Sequence, residues 1–153
     1  MGKDYCVRLM EEKDLEQVTA IEQSIFSMPW SMEDFKKSQN DTHNIYVVVD
    51  KESEILGYCG LWSVLDEGQI TNVAVKEEAR GCGLGYEMMK KLIGIGEERG
   101  LTSFTLEVRE SNAPARKLYE RLGFENAGIR PNFYDKPKEN AVIMWKYEKN
   151  VEY

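Results

Sequence analysis

The sequence predicts a mixed α/β fold: one domain with a central, mostly antiparallel twisted sheet flanked by helices. Strand-like and helix-like hydrophobic periodicities alternate along the whole chain. Three apolar runs, at 45–49, 55–62 and 69–75, follow one another with only short polar breaks, as a strand meander would. A length of 153 residues suits one hydrophobic core rather than two. No repeat, low-complexity tract or linker divides the chain, so residues 1–153 are read as a single domain.

In chain order, residues 6–10 alternate as a half-buried strand does, and 14–22 then place Leu15, Val18 and Ile21 at helical spacing. Pro29 breaks that pattern inside an aromatic-rich loop at 26–30. Ser31, with Asp34 three residues on, resembles an N-cap pair opening a short helix that runs to Lys37. The runs at 45–49 and 55–62, separated by polar residues 50–54, read as antiparallel strands joined by a short turn. A further strand at 69–75 leads into a charged, glycine-rich loop at 76–85. Met88, Met89, Leu92, Ile93 and Ile95 then predict a helix over 86–99, closed by Gly100. Gly94 and Gly96 inside it each cost about 1 kcal/mol relative to Ala, so close packing or local bending is expected at both. A strand at 102–108, a helix at 113–122 closed by Gly123, a turn including 133–136 and a last strand at 141–146 complete the order.

Composition narrows the function. The chain is 42% hydrophobic and 31% charged, and no stretch approaches the roughly 20 apolar residues of a membrane helix. The N-terminus lacks the apolar core of a signal peptide, so a cytoplasmic location without a membrane partner is expected. Cys6, Cys59 and Cys82 are odd in number and widely spaced, which suggests free thiols rather than a disulfide framework or a zinc site. A net charge of −7 argues against nucleic acid as a partner. The single histidine, His43, leaves no conventional triad unless it supplies one, and no His-x-x-x-His spacing suggests a metal.

Arg80-Gly81-Cys82-Gly83-Leu84-Gly85 lies between a predicted strand and a predicted helix, where backbone N–H groups converge on an anion. Neither a nucleotide P-loop nor a dinucleotide fingerprint fits, because no Gly-Lys-Ser/Thr follows and the third glycine would fall at Met88. A plain flexible turn is the alternative. Arg80-x-x-Gly83-x-Gly85 after Asn72-Val73-Ala74-Val75 resembles the acetyl-coenzyme A signature of the GNAT superfamily. Leu106-Glu107-Val108-Arg109, Ser111-Asn112 and Leu118-Tyr119-x-x-x-Gly123-Phe124 extend the match. Met28-Pro29-Trp30-Ser31 and Arg130-Pro131-Asn132-Phe133-Tyr134 resemble elements of the RimI-type ribosomal-protein-alanine N-acetyltransferases, so the likeness covers nearly the whole chain.

That resemblance implies a GNAT-like domain with acetyl-coenzyme A as co-substrate and no metal. It assigns the backbone of Val73, Ala74 and Val75 to the acetyl and pantetheine arm. Arg80, Gly81, Cys82, Gly83, Leu84, Gly85 and Tyr86 go to the pyrophosphate, and Asn112 to a more distant part of the cofactor. Gly81 stands where relatives often carry Arg or Gln, and Tyr86 where Arg or Lys is common; both remove possible phosphate contacts. Trp30 and Tyr134, with Phe133, would flank the substrate groove, although aromatics in such loops also serve as staples to the core.

A primary α-amine with a pKa of about 7.7–8.0 is largely protonated at neutral pH, so its attack on a thioester needs a base. Glu107 resembles the family's base, against the alternative of a solvated strand residue. Tyr119 is the candidate acid for the departing thiolate, against the alternative of a core tyrosine. Cys82 lacks an activating base, so direct transfer without an acetyl-enzyme is expected. The implied activity is acetylation of the α-amino group of a protein N-terminus, of the ribosomal-protein alanine type. A small-amine acetyltransferase or a non-catalytic coenzyme A-binding module remain the alternatives. A monomer or weak dimer is expected.

Overall fold

The computed structural model describes residues 4–147. Seven strands and four α-helices alternate in the order β1 (Cys6–Leu9), α1 (Leu15–Ile25), α2 (Met32–Gln39), β2 (Asn44–Lys51), β3 (Glu54–Val64), β4 (Glu67–Val75), α3 (Leu84–Glu98), β5 (Ser103–Arg109), α4 (Ala113–Arg121), β6 (Glu125–Tyr134) and β7 (Glu139–Tyr147). One sheet has the order β1-β2-β3-β4-β5-β7-β6, antiparallel throughout except where β4 runs parallel to β5. The meander turns where the chain can take positive φ: Glu52 and Ser53 (50° and 74°) between β2 and β3 match the twist that two-residue hairpins need.

Helices cover both faces. On one, Met88, Met89 and Leu92 of α3 are fully buried against Val47, Val49, Cys59, Leu61 and Phe104, each large side chain stabilising the fold by about 1.5–3 kcal/mol. On the other, Val18 and Ile21 of α1 and Phe35 of α2 pack on Tyr46, Val48 and Tyr58. The period-2 alternation of β2 and β3 sends successive side chains to these two layers. The cap expected at Ser31 forms in both directions, Ser31 Oγ accepting from Asp34 N (3.2 Å) and the Asp34 carboxylate from Ser31 N (3.0 Å).

Three expectations change. Helix α3 starts at Leu84 rather than Tyr86, because Gly83 takes the left-handed conformation (φ 80°) at the N-cap and lets Leu84 turn into the core. Leu84, Gly85 and Tyr86 therefore form its first turn, and the loop ends at Gly83. The segment before and into the turn at 133–136 contains a whole strand, β6, that the pattern concealed. Its residues are exposed along nearly all their length, so no apolar alternation marks it. Of the two helix glycines only Gly96 is tightly packed, since a Cβ there would meet Phe104 at 2.9 Å, whereas Gly94 faces open space. Among the described residues no helix is long and apolar enough to cross a membrane.

Candidate active site

Parallel pairing of β4 with β5 covers only Glu67–Gln69 against Ser103–Thr105. Beyond those three pairs the strands part. Between them opens a cavity of about 600 Å³ bordered by Ile70 to Val73 of β4 and Leu106 to Arg109 of β5. The parting is helped by a bulge in β4 between Gly60 and Leu61 of its neighbour, which gives β4 one extra residue at Thr71. Gly60 is required there, because a Cβ would lie 2.3 Å from the Tyr46 ring. Lys76 N donates to Leu56 O, so backbone alternation turns the N–H and C=O groups of Val73 and Val75 toward the gap and those of Ala74 toward β3. The assignment of Ala74 to the cofactor arm is thus the one of the three that the strand's geometry disfavours.

Trp30, Glu107, Asn112, Tyr119 and Tyr134, distant in sequence, all line this one cavity. They approach it from different sides of the sheet. Phe104, Leu106 and Val108 point into the layer under α3 and α4, so Glu107 and Arg109 point to the opposite face, that of α1 and α2. Tyr119, on α4, is buried on the first face, edge-on to Phe124. Burial pushes its phenol well above the usual range, so it holds its proton. Glu107 is half-buried, and its carboxylate lies 3.3 Å from the Arg130 guanidinium. Tyr134 is pushed up to about 12 by burial and then by the Glu107 carboxylate. The Arg109 guanidinium stacks over its ring (4.4 Å) and is itself held by Pro137 O (2.8 Å) and Glu139 (3.3 Å). The loop between α1 and α2 is tied across the cavity by Ser27 Oγ donating to Lys136 O (3.1 Å).

Ahead of α3, Gly81 and Gly83 both have positive φ (84° and 80°), with nothing within 4 Å of where a side chain would sit. The N–H groups opening α3 have no intrahelical acceptor, so the loop is an open backbone cradle suited to a pyrophosphate. Arg80 folds back, its Nε donating to Val75 O (3.1 Å), and Cys82 is an exposed free thiol. Asn112 caps α4 by accepting from Ala115 N (3.2 Å), which leaves its amide N–H groups for the cavity. Arg121 stacks on Tyr86 (4.8 Å) and brings a cation beside the position where an Arg or Lys is missing.

The two buried polar residues of the cavity, Glu22 and Asn72, were not singled out from the sequence. Glu22 is a buried carboxylate that accepts Trp30 N (2.9 Å) and the Tyr58 hydroxyl. Its signal was available, since it falls on the stripe of Leu15, Val18 and Ile25, where a charge is out of place. Asn72 is also buried, on β4.

A chain built this way around a parted parallel strand pair has known counterparts. Residues 15–124 match the model of the acetyltransferase (GNAT) family. A Bacillus subtilis relative is 39% identical over 95% of this chain and 97% of its own. The ribosomal protein bS18-alanine N-acetyltransferase of Haemophilus influenzae is 39% identical over 90% of this chain and 95% of its own. The crystal structure of the Escherichia coli ribosomal-protein-S18-alanine N-acetyltransferase superposes with a TM-score of 0.86 at 32% identity, covering 97% of this chain and 99% of that one. The protein is an acetyl-transferring enzyme. More particularly, the chain belongs to the GNAT family.

Proposed function

We propose that the enzyme moves acetyl from acetyl-coenzyme A to the α-amino group of a protein N-terminus, of the ribosomal-protein alanine type that names its relatives. The carrying observation is that one cavity opens on both faces of the sheet, with Asn112 and Tyr119 on the side of the glycine cradle and Glu107, Trp30 and Tyr134 on the other. Acetyl-coenzyme A, when bound, supplies the activated thioester. The cradle of Gly81, Cys82 and Gly83 with the first turn of α3 would hold its pyrophosphate, and the gap-facing backbone of Val73 and Val75 its arm.

Glu107 takes one proton from the ammonium, directly or through a water. The freed lone pair forms the N–C bond while an N–H of the β4 backbone stabilises the developing oxyanion. Tyr119 gives its proton to the departing sulfur as the C–S bond breaks, and the nitrogen's second proton returns to the tyrosinate through solvent. Transfer is direct. Cys82 does not line the cavity, and His43 is paired with Asp41 (2.9 Å) in an exposed loop. Exposed Phe26, Met28 and Phe133 at the mouth favour a peptide over a small amine, for which a closed acidic pocket would be expected.

The test is thiol release from acetyl-coenzyme A with alanine-initiated peptides, other N-termini, polyamines and amino acids, the acetyl group then being located by mass spectrometry. Acetylation of α-amines of peptides is expected. Turnover confined to polyamines or amino acids defeats the assignment of substrate, and acetyl held covalently on Cys82 defeats direct transfer.

A further inference from the structure

Helices α1 and α2 cover only part of their face of the sheet. The buried cluster beneath them takes its strand residues from β2, β3 and β4 (Tyr46, Val48, Ile55, Tyr58 and Ala74), and none of its described members comes from β5, β6 or β7. Strands β5 and β7 bury Phe104, Leu106, Val142 and Met144 on the α3 side. Ser103, Thr105 and Glu107 therefore point the other way, level with their partners Tyr147, Trp145 and Ile143. Register carries this uncovered face across the sheet. One row runs Trp62, Gln69, Thr105, Trp145 over β3, β4, β5 and β7, and the next runs Val64, Glu67, Ser103, Tyr147. Trp62 (45%), Val64 (39%) and Tyr147 (54%) are exposed, and the Trp145 and Tyr147 rings stack nearly parallel at 5.8 Å. Single exposed apolar residues are ordinary, whereas a patch that joins several of them marks an interaction surface.

We propose that these two rows form a docking surface for the acceptor protein beyond its N-terminus, an inference that rests on the acetyl-acceptor reading of the cavity. The patch is continuous with that cavity. Glu107 follows Thr105 of the first row by two residues on β5 and Ser103 of the second by four, so the proposed base and the second row are about 13 Å apart along the strand. An extended acceptor chain crosses that distance in about four residues. The chemistry of the rows specifies the occupant. Glu67 lies in the second row and Glu125 of β6 pairs with Trp145, while neither row contains a basic residue. Arg109 and Arg130, on the same face, stand at the cavity end and are engaged by Glu139 and Glu107, each at 3.3 Å. Aromatic rings flanked by carboxylates suit lysine or arginine side chains, whose stems lie on the rings while their charges meet the carboxylates. The occupant is therefore a basic segment with apolar side chains, a few residues after the acetylated one. A short peptide reaches only the cavity; a protein uses both places, and the second contact raises affinity without touching the chemistry.

Three acceptors beginning with alanine separate the surface from the cavity: a tetrapeptide, the same peptide extended by a segment of lysine and leucine, and the same peptide extended by a segment of glutamate and leucine. In wild type the lysine extension should raise kcat/KM about tenfold, through KM, and the glutamate extension should not. Trp62→Ser combined with Tyr147→Ser should cut that gain below about threefold, with tetrapeptide turnover, coenzyme A affinity and Tm unchanged. Glu67→Gln combined with Glu125→Gln, which alters charge alone, should reduce both the gain and its sensitivity to salt, and it decides the matter if the first variant loses stability. No gain in wild type, an equal gain from the glutamate extension, or a gain that survives both variants overturns the proposal. Sedimentation tests for a second copy of the chain: a wild-type dimer that the Trp62→Ser, Tyr147→Ser variant dissolves makes the face a homodimer interface and also overturns it. Acetylation of none of the three peptides defeats the N-terminal acceptor reading instead. The lysine segment alone is then titrated by calorimetry, where a loss of about tenfold in the variant sustains the surface and equal or absent binding overturns it.

Discussion

Glu107 and Tyr119 face the same cavity from opposite sides of one sheet, the carboxylate on the face of the proposed amine entrance and the phenol on the face covered by α3 and α4. Their proton-transfer roles therefore separate experimentally. Glu107→Gln should lower kcat/KM by about 10²- to 10⁴-fold. The loss should be deepest at mildly acidic pH, where an α-amine of pKa about 7.7–8.0 arrives protonated, and acetyl-coenzyme A affinity should hold. Tyr119→Phe should lower kcat with the affinity for acetyl-coenzyme A unchanged. Because burial raises the Tyr119 phenol, it stays protonated from pH 6 to 9 and its loss should be equal across that range. Wild-type rates in both variants, measured by thiol release over that range, would remove both assignments. The positions of Glu107 and Tyr119 could be found because each sits in a short motif with fixed neighbours. Glu22 was readable as a charge on an apolar helix stripe, whereas Asn72 was hidden, because an amide in a strand shows its burial only once the sheet is assembled.

Elements with an apolar period were readable, and β6, exposed along nearly all its length, was not. Helix α3 and strands β2 to β5 announced themselves by period, and Ser31 with Asp34 marked the start of α2 before any contact was known. Strand β6 lies at the sheet edge beyond β7, with Pro131 and a register break between Arg130 and Tyr134, so its pairing with β7 is set by the partner strand and not by its own pattern. The two glycines of α3 show how little local propensity says without the neighbour. Gly94→Ala should stabilise by about 0.4–1 kcal/mol, because open space receives the methyl and the unfolded chain loses freedom. Gly96→Ala should destabilise by about 1–2 kcal/mol, as the Phe104 ring at 2.9 Å and Leu101 at 3.1 Å, both buried, must shift. Urea midpoints of the two variants moving in the same direction would contradict that difference in packing.

Over the whole molecule, one ionic knot reinforces the β1–β2 pairing and the apolar packing that join the N-terminal unit to the sheet. Arg8 of β1 holds Asp14 at the entry to α1 with two bonds (2.7 and 2.9 Å) and Asp50 of β2 at 3.0 Å, while Glu11 N donates to Asp14 at 2.8 Å. Helix α1 carries Glu22 and leads into the Trp30 loop, so this knot also fixes one wall of the cavity. Burial alone would raise the Asp14 carboxyl, but the Arg8 guanidinium and the Glu11 N–H outweigh it and hold the group below its ordinary 3.8. A carboxyl depressed in the folded state contributes stability that is present above its unfolded pKa and is lost as pH falls through the folded value. Asp34, Asp41 and Glu139 are depressed too, each by hydrogen bonds it accepts, and act in the same direction. Asp14→Asn, which cannot titrate, should therefore lower stability by roughly 3 kcal/mol at pH 7, while its deficit shrinks as the pH falls below about 4, the unfolded carboxyl value, and on through the lower folded value of wild-type Asp14. Thermal denaturation from pH 7 to pH 2.5 checks this. Two Tm curves that stay parallel through the acid limb would mean that Asp14 contributes packing and hydrogen bonds but no proton linkage, and the acid sensitivity of the fold would then belong to the exposed carboxylates.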